Sequence, residues 1–233
     1  MKLDILAFAA HPDDTELSCA GTLAIHVEKG YKVGVIDLTR GELGTRGTPE
    51  VRDQEATDSA EVLGLSVREN LSLEDGFFTN SKENQLKLIQ KVREYRPSIV
   101  LLNAPSDRHP DHGRAAQLET DACFLSGLVK VETDQEAWRP RATYHYIQSI
   151  SLVPDFVVDV TDGWEKKMAS INCFNSQFYD PNSDEPETFI SSPAFMEMIE
   201  SRGKDLGYSI GASYGEGFIK VKNVGISDLH QLL

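Results

Sequence analysis

The residues of this chain best suited to chemistry lie in two short motifs, Ala10-His11-Pro12-Asp13-Asp14-Thr15-Glu16 and Asp107-Arg108-His109-Pro110-Asp111-His112. Imidazole nitrogen and carboxylate oxygen are the usual ligands of hydrolytic metal ions. Two histidines and one aspartate leave positions open for water and substrate. His11, Asp14 and His112 make such a set. Zn2+ suits it, and Fe2+ also accepts two histidines and a carboxylate. Asp13 stands beside a ligand without being needed as one, so it can take a proton from the attacking water and hand it to a leaving amine. His109 can donate to the oxyanion of a tetrahedral intermediate if it is held protonated. Asp111 can orient an imidazole from behind.

Each of these residues also has a plainer reading. His-Pro-Asp alone is mostly a turn. Asp13 and Asp14 can open a helix, where negative charge suits the dipole, and that role explains Glu16 better than chemistry does. His109 and His112 can sit on an exposed helix start. The joint occurrence of both motifs behind apolar strands outweighs these readings. His26, His145 and His230 have no such context. The stretch Gly41-Glu42-Leu43-Gly44-Thr45-Arg46-Gly47 lacks the spacing of a phosphate cradle and reads as a substrate-facing loop. Arg52 and Arg108 are the cations best placed to meet an anionic substrate group.

The two motifs cooperate only if the fold brings them together. Apolar runs at 3–10, 32–38, 66–73 and 98–103 read as strands. Between them, 15–29, 50–63, 81–96 and 110–127 read as helices, with Gly30 and Gly64 as C-caps. Four βα units in a row predict an α/β fold, Rossmann-like and doubly wound, with a mostly parallel sheet and helices on both faces. In the commonest order, 3-2-1-4, strands 1 and 4 are neighbours and ligands bind outside their carboxyl ends. The motifs follow those two strands. The second half is less regular, with strands at 143–148 and 156–160, helices at 163–174 and 192–207, a loop at 180–193 and a last strand within 212–221. No repeat or linker interrupts the chain, so 1–233 reads as one domain.

Composition narrows the partners. The chain has 233 residues, 40% of them hydrophobic, and a net charge of −14. Such a surface repels phosphate backbones and anionic lipid, which argues against nucleic acid and membrane partners and leaves a small molecule. Three widely spaced cysteines without a CxxC pair read as reduced thiols of a cytoplasmic protein. The apolar N-terminus is too short for a signal peptide, and no run approaches the ~18 residues of a membrane span.

With these residues in view, the chain resembles the LmbE-like (PIG-L) superfamily of N-acetylglucosaminyl deacetylases. The resemblance rests on His11-Pro12-Asp13-Asp14-Thr15-Glu16, on Leu38-Thr39-Arg40-Gly41-Glu42, on Arg52 with Glu55-Ala56, on His109-Pro110-Asp111-His112 and on Gly215-Glu216-Gly217-Phe218. Asp107-Arg108 and the Gln177-Phe178 region make it most similar to the bacillithiol-biosynthesis deacetylases. The resemblance implies a Zn2+ enzyme that removes acetate from N-acetylglucosaminyl-malate, with His11, Asp14 and His112 as ligands, Asp13 as base and His109 as oxyanion stabiliser. It also implies a homo-oligomer, a hexamer being the relatives' assembly. One alternative is a general N-acetyl amino-sugar deacetylase. Another is a non-haem iron oxygenase with the same ligands, disfavoured because such triads usually sit in β-sandwich barrels. A third is a non-catalytic binding protein, against which the intact Asp13 argues.

Overall fold

β1 (Ile5–Ala9) is buried along its whole length, as is β2 (Val33–Asp37) beside it. Strands without a polar face need cover on both sides, and helices supply it. The computed structural model describes residues 1–180 and 183–232. With β3 (Val67–Asn70), β4 (Ile99–Leu102), β5 (Ala142–Tyr146), β6 (Phe156–Asp159) and β7 (Gly215–Lys220), the strands form one seven-stranded sheet in the order β3-β2-β1-β4-β5-β7-β6. The pairs from β3 through β5 are parallel, and β7 pairs antiparallel with both β5 and β6. The 3-2-1-4 order expected from the sequence is therefore present. Ala7 of β1 stands opposite Leu101 of β4. This register places His11, just past β1, level with the start of the loop that carries Asp107 to His112.

The helices are α1 (Asp14–Ser18), α2 (Ala20–Glu28), α3 (Pro49–Leu63), α4 (Lys82–Tyr95), α5 (Pro110–Leu125), α6 (Trp164–Ile171) and α7 (Pro193–Ser209). Leu6, Phe8, Leu88, Val92, Leu102 and Leu118 belong to one apolar cluster, while Ile5, Ala7, Leu23, Val35 and Tyr146 belong to another. Alternate residues of β1 feed the two clusters, as the two faces of a covered strand must.

One expectation needs correction. The continuous helix predicted over 15–29 is two helices, broken at Cys19, whose backbone (φ −135°, ψ 11°) leaves the helical region. The break gives α2 its own N-terminus, and Glu216 of β7 accepts hydrogen bonds there from the backbone N–H groups of Gly21 and Thr22 (3.0 and 2.7 Å). A carboxylate on those orphan donors suits the helix dipole. The loop expected at 180–193 has no helix or strand over 183–192, and positions 181 and 182 lie outside the described residues. No helix among the described residues is long and apolar enough to cross a membrane.

Candidate metal centre and active site

Both motifs open on the carboxyl edge of the sheet and share a cleft of about 400 Å³. His11 follows β1, and His109 N-caps α5, so that His112 lies in its first turn. The Asp14 carboxylate sits between two imidazoles. Its Oδ1 is 3.1 Å from Nε2 of His112, and its Oδ2 is 3.7 Å from Nδ1 of His11. The remaining nitrogen of each ring faces another carboxylate. Nε2 of His11 lies 3.0 Å from Asp75 and 3.3 Å from Asp111, and Nδ1 of His112 lies 2.5 Å from Asp107. Histidines that bind metals usually donate their second N–H in this way, which fixes the tautomer and leaves the inner lone pair free. Two amides then hold Asp14: Asn103 Nδ2 donates to its Oδ2 (3.1 Å) and Gln148 Nε2 to its Oδ1 (2.8 Å).

The charges fit a cation at this spot. Burial would lower the pKa of His11, but Asp111, Asp14 and Asp75 hold it well above the usual value. Burial also lowers that of His112, yet Asp14 and Asp107 raise it to about 9. Burial would raise Asp14, which the His112 and His11 charges hold well below the usual carboxylate range. Carboxylates that stabilise positive charge on two converging imidazoles stabilise a dication between the same groups. His11, His109 and His112 bring ring nitrogens within 4.8 Å of one another, and His11, Asp75 and Asp111 form a second such group. The residues therefore fit a metal ion.

Asp13 is buried and has φ +125°, a backbone region that residues with a Cβ rarely adopt. Backbone outliers of this kind cluster at functional sites. Its Oδ2 accepts a hydrogen bond from Arg52 Nη2 at 3.0 Å. Burial pushes the Asp13 carboxyl up to about 7; Arg52 pulls against that shift, and Asp14 adds to it. A base poised near neutrality is what proton transfer at neutral pH requires. Arg52 is thus placed differently from the sequence expectation. It lines the cleft, but it is buried, and it donates to Asp13 and to the carbonyls of Pro12 and Gly41. These contacts direct it at the candidate base rather than toward an anionic substrate. Gly41 permits the approach: it has φ +65°, and a Cβ there would collide with the Arg52 guanidinium.

His109 also differs from its expectation. Burial and the charges of His11 and His112 hold its pKa below the usual value, so the neutral ring is favoured. Its Nδ1 accepts the Asp111 backbone N–H at 3.3 Å. The ring proton is thereby assigned to Nε2, so a neutral His109 still presents a donor. Asp111 lies behind His11 rather than behind His109, with its Oδ2 also accepting from Gly76 N (2.8 Å). Arg108 is exposed at the cleft mouth, and Leu43, Gly44 and Thr45 of the glycine-rich loop line the wall. Glu16 is fully buried, paired with Arg68 and bonded to Ser59, so it anchors α1 rather than merely complementing a dipole. The sequence assigns no role to Asp75, Asn103 and Gln148, and shows Asp107 only as a member of the second motif. Asp75 follows β3 on the same sheet edge, but Glu74-Asp75-Gly76 reads as an ordinary turn.

Residues 6–123, half of the chain, match the family described as PIG-L, GlcNAc-PI de-N-acetylase. The chain belongs to the PIG-L family. It is 29% identical over 189 residues to the diacetylchitobiose deacetylase of Thermococcus kodakarensis, covering 75% of this chain and 70% of that one. It is 27% identical to the 4-oxalmesaconate hydratase of Pseudomonas putida, covering 74% and 73%. The solved structure of the conserved protein TT1542 from Thermus thermophilus is 34% identical and covers 97% of this chain and 98% of that one, with a TM-score of 0.88. The open, mostly parallel sheet, shared with TT1542, is not the β-sandwich barrel in which the ligand triads of iron oxygenases usually sit.

Proposed function

We propose that this PIG-L chain is a metal-dependent hydrolase of 233 residues in one domain that removes the acetyl group from an N-acetylglucosaminyl substrate. The observation that carries this reading is Asp14 between the inner nitrogens of His11 and His112, with a carboxylate behind each ring and Asp13 held beside them. His11, Asp14 and His112 would hold Zn2+, with Fe2+ as the alternative. Such an ion supplies Lewis acidity toward the amide carbonyl and makes water a nucleophile near neutral pH. Asp13 takes the proton of the attacking water and delivers it to the leaving amine. His109 donates its Nε2–H to the carbonyl oxygen as negative charge develops there. Asp75, Asp107 and Asp111 fix the two ligand imidazoles, and Asn103 and Gln148 fix Asp14.

The finer reading is N-acetylglucosaminyl-malate as substrate, in bacillithiol biosynthesis, in a cytoplasmic homo-oligomer. Its malate group is supported by Arg108, exposed at the cleft mouth one residue before His109. The alternative is a general N-acetyl-sugar deacetylase. The test is acetate release from N-acetylglucosamine, its malate glycoside and diacetylchitobiose. Hydration of 4-oxalmesaconate is assayed in parallel, because one relative carries that name. Acetate release with preference for the malate glycoside is expected. Arg108→Ala should lower that preference about tenfold, the scale of a charge-assisted contact. Hydration without acetate release would replace the hydrolase reading.

A further inference from the structure

Arg108 differs from its neighbours in how it is held. In a chain of net charge −14, Arg46, Arg52, Arg68 and Arg114 each pair with a carboxylate. Among the described residues, the Arg108 side chain makes no hydrogen bond and no ion pair. Its guanidinium lies instead over the ring of Phe189, 4.1 Å from the centroid. Phe189 is half exposed, and its ring meets Phe195 edge-on at 5.7 Å. Phe195 is buried and stacks on buried Phe178, with centroids 6.3 Å apart and planes 8° from parallel. Phe178 and Phe195 belong to the apolar cluster around Trp164 and Ile199. A row of three aromatic rings thus runs from the core to the mouth of the cleft and ends under an arginine.

That arrangement has a chemical consequence. A guanidinium lying on a ring has one face covered, while its donors point outward in the plane. In-plane donors match the two oxygens of a carboxylate. An arginine ordered before its partner arrives also loses less side-chain freedom on binding. Because Arg108 directly precedes His109, an anion held there is fixed relative to the reacting centre. Resting on the deacetylase reading above, we infer that Phe189 is a positioning residue for anion recognition. Its ring holds Arg108 with the edge of the guanidinium turned to a carboxylate on the group attached to the sugar.

The experiment compares Phe189→Leu and Phe189→Tyr with the unaltered protein, on N-acetylglucosamine and on its malate glycoside. Phe189→Leu should raise KM for the glycoside about two- to fivefold, the scale of an exposed cation–π contact. Its kcat, and both constants for the neutral sugar, should not change. Phe189→Tyr keeps the ring and should restore KM. In an Arg108→Ala background, Phe189→Leu should have no further effect. Equal changes on both substrates, a fall in kcat, or no change at all would overturn the inference. Titration of free malate, followed by NMR, reads the same contact without turnover, and Phe189→Leu should weaken it by a similar factor. If the unaltered protein releases no acetate from either substrate, the deacetylase reading fails while the malate titration still decides the role of Phe189.

Discussion

At the scale of single residues, the proposed catalysis turns on Asp13 and its guanidinium partner. Arg52 pulls the Asp13 carboxyl down against burial and Asp14, which leave it at about 7. Removing that positive charge leaves the raising effects of burial and Asp14 less opposed, so the acidic limb of kcat/KM against pH should move to higher pH in Arg52→Gln. A pH profile of acetate release checks the sign, and an unmoved or acid-shifted limb would take Arg52 out of this role. Asp13→Asn keeps the shape of the side chain but cannot serve as the base. It should retain metal and lose at least ~100-fold in turnover, the scale of general acid–base catalysis. Near-normal turnover would remove Asp13 from the mechanism. That His11, Asp14, His112 and Asp13 share one cleft was legible in the sequence, because their types and their places after two apolar strands are themselves the signal. Asn103 and Gln148 were not, because a neutral amide carries no mark of its task until Asp14 is seen between its two donors.

At the scale of elements, the pairing of β1 with β4 was legible because buried parallel strands read as continuous apolar runs and the chain order restricts the crossovers. The break between α1 and α2 was not, because the group that caps it comes from β7, at the far end of the chain. Glu216 of β7 caps α2 and binds Lys167 Nζ at 2.6 Å, with both side chains buried. The sequence singled out Gly215-Glu216-Gly217-Phe218 only by resemblance; the fold shows the motif joining the late strand β7 to the helix behind the loop of His11 and Asp13. Glu216→Gln leaves a buried ammonium without its counter-charge. It should cost about 3–5 kcal/mol, lowering Tm by roughly 6–20 °C. Gly21→Ala would put a Cβ 2.8 Å from that of Val160 and should cost about 1–3 kcal/mol. Thermal melts of both variants check these values, and an unchanged Tm in Glu216→Gln would mean that the cap and ion pair are dispensable.

At the scale of the whole molecule, the net charge of −14 opposes a substrate with two carboxylates, while Arg108 attracts one locally. Diffuse repulsion acts over about 30 Å at 10 mM ionic strength and about 8 Å at 150 mM, so salt screens it before it screens a direct contact. Raising salt across this range should increase kcat/KM for the malate glycoside and leave that for N-acetylglucosamine unchanged; a fall for the glycoside would show that the local contact dominates at all salt concentrations. Composition announces that field and the second motif marks Arg108 as a candidate exception, but the ring of Phe189 beneath it was not legible, because that contact joins segments far apart in the chain. The most direct test of the central claim is the metal content per chain, measured together with acetate release. The expected result is about one Zn2+ per active chain, loss of acetate release on chelation and its return on reloading, and loss of bound metal in folded His11→Ala and His112→Ala. Full turnover after complete chelation, or undiminished metal in both variants, would contradict it.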